Sequence, residues 1–194
     1  MSEAFDLACA CGAFTGTIEV EHSGEGDRLS CYCKDCQTFA TRFGKSERIL
    51  DPHGGTELYQ TRCARLLVET GRELLASIHL TGKPTLRWYA SCCDTPLFNT
   101  FASGKVPYLT VLLANAPGAD VERLVGPSRG GLSLESALGD ASAIPAAPLP
   151  RQIIRQMRRM ALDVLSGDRR RSPLFDSQSL APIAKPVRVG ESEA

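Results

Sequence analysis

The chain has 194 residues, a length that suits one domain and allows roughly 70% of the unfolded surface to be buried, so a core does not depend on disulfides. Its 22 lysines plus arginines balance its 22 aspartates plus glutamates, which excludes a global basic field of the kind that announces nucleic-acid binding. No stretch reaches the ~18 apolar residues of a membrane span, and the opening MSEAFDLACACGAF lacks a charged and then apolar leader, so a cytoplasmic, reducing setting away from the membrane is expected. In that setting eight closely spaced cysteines point to metal rather than to a disulfide framework.

In chain order, Phe14 to about Leu113 is a series of strand-length runs: FTGTIEV, TELYQ, ARLLVE, ELLASIHL, TLRWYA and YLTVLL. The turn signals HSGEGD, DPHGG and TGKP lie between them, because glycine supplies positive φ and proline fixes φ near −65°. The pattern predicts a mostly β domain of small antiparallel sheets over 1–115. Alternation puts Trp88 and Tyr89 on opposite strand faces, so at most one belongs in the core. Residues 116–149, rich in Gly, Ala, Ser and Pro, are expected to be a connector.

Over 150–167, Ile153, Ile154, Met157, Met160, Ala161, Val164 and Leu165 recur at helical spacing, with Pro150 before them and Gly167 after. An amphipathic helix is predicted, its apolar stripe packed on the sheet and its arginines solvated. Seven arginines against Asp163 and Asp168 make the segment from Pro148 to Arg171 locally basic. The tail, 168–194, is proline-punctuated and predicted to be extended or partly disordered, with Leu174 and Phe175 as residues able to dock it.

The cysteines carry the chemistry. A structural zinc wants four soft ligands in a tetrahedron, commonly two local pairs joined by the fold, and Cys9 and Cys11 in CACG with Cys92 and Cys93 suit two such zinc knuckles. Cys31, Cys33 and Cys36, in CYCKDC, have a different arithmetic. Three thiolates from one loop leave the fourth position of an ion open to water or to an exogenous thiol, which separates a catalytic zinc from a structural one. A zinc-free redox triplet is the competing reading. Cys63 stands alone and reads as a small buried hydrophobe.

CACGAFTGTIE, then CYCKDCQTFA, then RWYASCCDTPLF resemble the glutathione-dependent formaldehyde-activating enzyme and centromere protein V family over roughly 7–113. The resemblance implies a β-tent with two zinc sites and glutathione near the second. By position, Cys9, Cys11 and Cys93 would be structural ligands, and Cys31, Cys33 and Cys36 the functional ones. The family's later motif is CxxCG, whereas this chain has Ala90 at its first cysteine, Asp94 at its glycine, and an extra Cys92. Neighbouring residues in a strand face opposite ways, so Cys92 reaches the same ion only if the backbone bends there. The structural site is then three-coordinate, completed by Cys92, or vacant.

The expected activity is that of a zinc-dependent carbon–sulfur lyase acting on thiol adducts of small aldehydes, with a small thiol such as glutathione as partner. Asp35 and Lys34, taken as a charged loop tip inside the triplet, are the nearest proton-transfer candidates. Gln37 and Thr38 are candidates for binding a ligand's carboxylate. His22, His53 and His79 lack ligand spacing to any cysteine group. Two other readings compete: a noncatalytic zinc module that binds a protein or, less readily, nucleic acid through the basic helix, and a thiol-based redox or metal sensor.

Overall fold

The computed structural model describes residues 3–118 and 120–189. The fold is mostly β. Strands β1 (Glu3–Ala8), β2 (Thr15–Val20) and β3 (Asp27–Cys31) lead into helices α1 (Lys34–Arg42) and α2 (Ser46–Ile49). Strands β4 (Thr56–Thr61), β5 (Leu66–Thr70), β6 (Leu75–His79), β7 (Thr85–Ala90), β8 (Thr95–Phe101) and β9 (Leu109–Leu112) follow. The chain then passes through α3 (Val121–Val125), β10 (Gly131–Leu132), α4 (Leu149–Leu165) and β11 (Val187–Arg188). The six strand-length runs read from the sequence all form strands. The runs at β1, β3 and β8 are additional, and each is short or interrupted by polar residues.

One sheet has three strands in the order β1-β2-β5, and the other has eight in the order β10-β3-β4-β9-β8-β7-β6-β11. All pairings are antiparallel except β10 on β3 and β11 on β6, which add short parallel edges. Phe5 and Ile18 from the small sheet, with Phe14 just before β2, meet Tyr59, Trp88, Phe98 and Val111 from the large one in the main core. Two edge-on aromatic contacts, Phe5 with Tyr59 and Phe14 with Phe98, join the layers. Trp88 is fully buried there while Tyr89, half-buried, faces Phe43 across the strand, as alternation requires.

The other face of the large sheet is polar at its centre. Arg87, Asn99, Thr110, Gln60 and Asp27 are successive register partners across β7, β8, β9, β4 and β3, and all five are buried. Beside this row Leu29, Leu58 and Leu112 pack with Ala40 of α1 and Ile49 of α2 in a second, smaller core.

The region 116–149 carries α3 and β10 rather than acting only as a linker. Asp120 caps α3 by accepting from the Arg123 N–H. In the tail, Leu174 and Phe175 are buried, Phe175 lies edge-on to Trp88, and β11 pairs with β6. The predicted tail beyond residue 189 lies outside the described residues.

The predicted helix exists, but its orientation reverses the expectation. Gln152, Gln156, Arg159 and Asp163 are its buried residues, whereas Ile153, Ile154, Met157, Val164 and Leu165 are exposed. The physical reason is electrostatic. Asp27, fully buried at the head of β3, accepts from Arg159 Nη2 at 2.7 Å and Arg155 Nε at 2.8 Å, and buried Asp163 accepts from Arg62 Nε at 2.5 Å. A buried charge left without its partner costs several kcal/mol, on the order of 3–5. These pairs therefore fix which face of α4 turns inward, and the apolar stripe is left outside. The arginines that were read as solvated are largely spent within the chain.

Candidate functional site

Two groups of cysteines converge. Cys9, Cys11, Cys92 and Cys93 form one, and Cys31, Cys33 and Cys36 the other; within each group all sulfurs lie within 4.8 Å of one another. No disulfide is formed, and all eight cysteines are free.

The four-sulfur group is built by two turns. After β1 the chain reverses through CACG, where Gly12 takes φ +77° and donates its N–H to the Cys9 carbonyl at 3.1 Å. After β7 it reverses through 91–94, where Asp94 takes φ +53°. Cys92 and Cys93 thus sit in a turn, not in a strand, and the alternation that would separate them does not apply. Asp94 is thus a left-handed residue, and aspartate is among the few side chains that tolerate that conformation. The Thr95 hydroxyl accepts from the Ala10 N–H at 3.0 Å and lies 3.0 Å from Cys93 Sγ, tying the two turns together.

The fit to an ion can be tested on distances. A tetrahedral ion with sulfur ligands at about 2.3 Å sets sulfur–sulfur edges of about 3.8 Å. The separations are 3.5 Å for Cys9–Cys11, 3.7 Å for Cys9–Cys92, 3.4 Å for Cys11–Cys92 and 3.8 Å for Cys92–Cys93. Four soft donors at these edges, with the remaining two pairs inside 4.8 Å, suit a metal ion and fill all four places of a tetrahedral set. Desolvation opposes ionisation of Cys93, but the Thr95 hydroxyl and the Cys11 N–H outweigh it and bring the thiol down to about 6.

The triplet is not one loop. Cys31 ends β3, Cys33 holds the N-cap position of α1 without a side-chain capping bond, and Cys36 lies in its first turn. Cys31 and Cys33 are 3.4 Å apart and half-buried, while Cys36 is buried. Hydrogen bonds from the Cys31 and Cys36 thiols, with the Cys36 N–H, hold Cys33 far below the ordinary thiol range. The exposed N–H groups of a helix start favour a thiolate there. Three donors fit an ion, and no fourth Cys, His, Asp or Glu joins them among the described residues.

Arg87 faces this group. Its Nη1 donates to Cys36 Sγ at 3.5 Å and to Asn99 Oδ1 at 2.8 Å, and its guanidinium lies 5.7 Å from the Phe39 ring centroid. Asn99 passes the chain on to Thr110 Oγ1 at 2.9 Å. Burial, and then the charge of Cys36, push the Tyr108 phenol up to about 12. Sequence reasoning did not single out Arg87, Asn99 or Tyr108. The available signal was a charged residue inside the apolar strand TLRWYA.

Lys34 and Asp35 occupy the first turn of α1 rather than a loop tip, and Asp35 accepts from Lys83 Nζ at 2.8 Å. Gln37 donates to the Tyr32 and Ser136 carbonyls at 2.8 and 2.9 Å, so its amide hydrogens hold 133–137 against α1. A cleft of about 560 Å³ runs along α1, lined by Lys34, Gln37, Thr38, Arg42, Leu80 and Val189. None of the three cysteines lines it, although Lys34 and Gln37 are next in sequence to Cys33 and Cys36. Each histidine ring has a backbone carbonyl as neighbour: Ser23 for His22, Leu138 for His53 and Thr85 for His79. Cys63 is buried, and desolvation raises its thiol well above the usual range.

The sequence pattern of DUF6151, a family of unknown function, matches residues 1–185. The chain belongs to DUF6151. A crystal structure of a Rhodobacter sphaeroides protein is similar to this DUF6151 chain over 63% of its length and 96% of the other, at 19% identity and a TM-score of 0.42. No curated protein matches this DUF6151 chain. No helix among its described residues is long and apolar enough to cross a membrane.

Proposed function

We propose that this protein binds two zinc ions, one structural and one functional, and that at the second it cleaves the carbon–sulfur bond of thiol adducts of small aldehydes. The observation that carries the reading is the inequality of the two groups: four cysteines converge in one and three in the other. The resemblance to the glutathione-dependent formaldehyde-activating enzyme and centromere protein V family points the same way. Zinc is the metal of choice because four thiolates in a tetrahedron, and three with a place left over, are its usual structural and catalytic settings.

Bound by Cys31, Cys33 and Cys36, zinc would let an incoming thiol ionise at neutral pH. The reaction is redox-neutral. The hydroxyl proton of an S-hydroxymethyl adduct leaves, its electron pair becomes the second bond of the aldehyde carbonyl, and the carbon–sulfur pair stays on sulfur, which regains a proton on release. Asp35, which stands between Cys33 and Cys36 in sequence and pairs with Lys83, is the candidate carrier of that proton. Lys34 and Arg42 give the neighbouring cleft two cations, which suits a thiol bearing carboxylates, and Thr38 adds a hydroxyl.

The test combines metal analysis with turnover. Purified protein is expected to carry two zinc ions and to cleave S-hydroxymethylglutathione saturably, and Cys33→Ser to carry one ion and to lose turnover. Doubly loaded protein inert across a panel of thiols and aldehydes would rule the enzymatic reading out.

A further inference from the structure

The exposed face of α4 is the largest feature that the two cysteine groups leave unused. We infer that α4 pairs with the α4 of a second copy of this chain, antiparallel, about a two-fold axis at Met157. Leu149, Ile153, Ile154, Met157, Val164 and Leu165 stand in one apolar stripe, between 41% and 84% exposed. Together they present on the order of 700 Å², more than the largest apolar patch of most monomers and close to the ~800 Å² that each partner contributes to a standard interface.

The pattern of the stripe selects its occupant. A two-fold interface sets each residue against its mirror position, so the surface must be complementary to itself. Reflection about Met157 puts Leu149 opposite Leu165, Pro150 opposite Val164, Ile153 opposite Ala161, and Ile154 opposite Met160. Each apolar position of the stripe meets another apolar residue and no charge falls on that seam; exposed Leu162, whose mirror position is Gln152, lies outside it. Ala161 is small, which lets two helices approach to the 8–10 Å of ordinary helix packing.

The orientation of the stripe is fixed before any partner arrives, because Asp27 and Asp163 hold the opposite face of α4 against the domain. An anionic membrane is the competing occupant of a basic amphipathic helix. It is disfavoured because Arg155 and Arg159 are committed to Asp27, leaving Arg151 and Arg158 alone on α4, on a chain of zero net charge.

Sedimentation equilibrium of the full chain is expected to show a dimer at micromolar concentration. Met157→Glu places two carboxylates at the axis and is expected to raise the dissociation constant by about 100-fold or more. Its circular dichroism and melting at low concentration should be retained, since Met157 is exposed in the single copy. As a second readout, Met157→Cys should form a reducible crosslinked dimer under mild oxidation, whereas Leu67→Cys, on another exposed surface, should not. A monomeric wild type, or a dimer indifferent to Met157→Glu, overturns the inference. So does a monomer that binds phosphatidylserine vesicles through α4, which would assign the face to a membrane.

Discussion

Arg87 Nη1 lies 3.5 Å from the sulfur of Cys36, and among the described residues this buried guanidinium has no carboxylate in ion-pair contact. Its other polar partner, Asn99, is neutral. A buried cation needs a counter-charge, and the thiolates of the triplet are the anions at hand. Arg87→Met is therefore expected to weaken metal binding at the triplet by about 10- to 100-fold, the usual effect of losing an outer partner of a ligand. Competition with a chromophoric chelator would resolve this, with the four-cysteine site unchanged as the internal control. Equal weakening of both sites would show that the residue acts on folding alone.

The doublet at 92 and 93 offers a sharper test of the closed site. Cys92→Ser is expected to cost several kcal/mol of stability in the metal-loaded protein, since structural zinc can contribute roughly 10–16 kcal/mol of apparent folding free energy in small domains. In the metal-stripped protein the same change should cost little. Denaturant titration with and without metal separates the two. A substitution that was equally mild in both states would remove Cys92 from the ligand set.

At Asp94 the backbone, not the side chain, is the argument. With φ +53°, Asp94→Gly is expected to be neutral or to stabilise slightly, while Asp94→Val should destabilise by about 1–2 kcal/mol. Thermal melts of the three proteins would check the order.

The two aspartates that hold α4 should behave differently. Asp27 receives Arg155, Arg159 and, at 3.4 Å, Arg129, so Asp27→Asn leaves the buried Arg159 without its counter-charge and is expected to cost about 3–5 kcal/mol. Asp163 shares Arg62 with Asp168, and its Oδ2 is buried without a partner. Asp163→Asn should cost less than about 1 kcal/mol at neutral pH.

The pH dependence of Asp163 follows from burial, which raises its carboxyl despite Arg62. A carboxyl raised on folding takes up a proton in the native state, so its contribution to stability is greatest below the unfolded value and is lost as pH rises through the folded one. Wild type minus Asp163→Asn, measured by denaturant titration from acid to neutral pH, should therefore favour wild type more at the acid end. A difference that grew toward neutral pH would reverse the assignment.

The local features were largely legible. Strand-length runs rich in β-branched, aromatic and leucine residues, bounded by turn signals, gave β2, β4, β7 and β9 within a residue or two, because such side chains suit the buried, pleated surface of a sheet. Cysteine spacing gave both cysteine groups able to hold a metal ion, because thiols close in sequence are brought together by a single turn or helix start. The helix in the triplet was missed because KDCQTFATR has only three buried residues, Cys36, Phe39 and Ala40, and two of them look like something else in sequence. The fate of the Cys92 and Cys93 pair was open because it turned on one backbone angle at Asp94.

The sequence by itself determined that α4 is an amphipathic helix and that seven cysteines fall into a four and a three. Only the tertiary structure decided that the helix lies with its polar side inward and that Arg87 meets Cys36. The physical reason is common to both. Periodicity reports which residues share a face, but which face is buried depends on charges far away in the chain, and Asp27, Asp163 and the triplet each demand a partner that only the fold can bring.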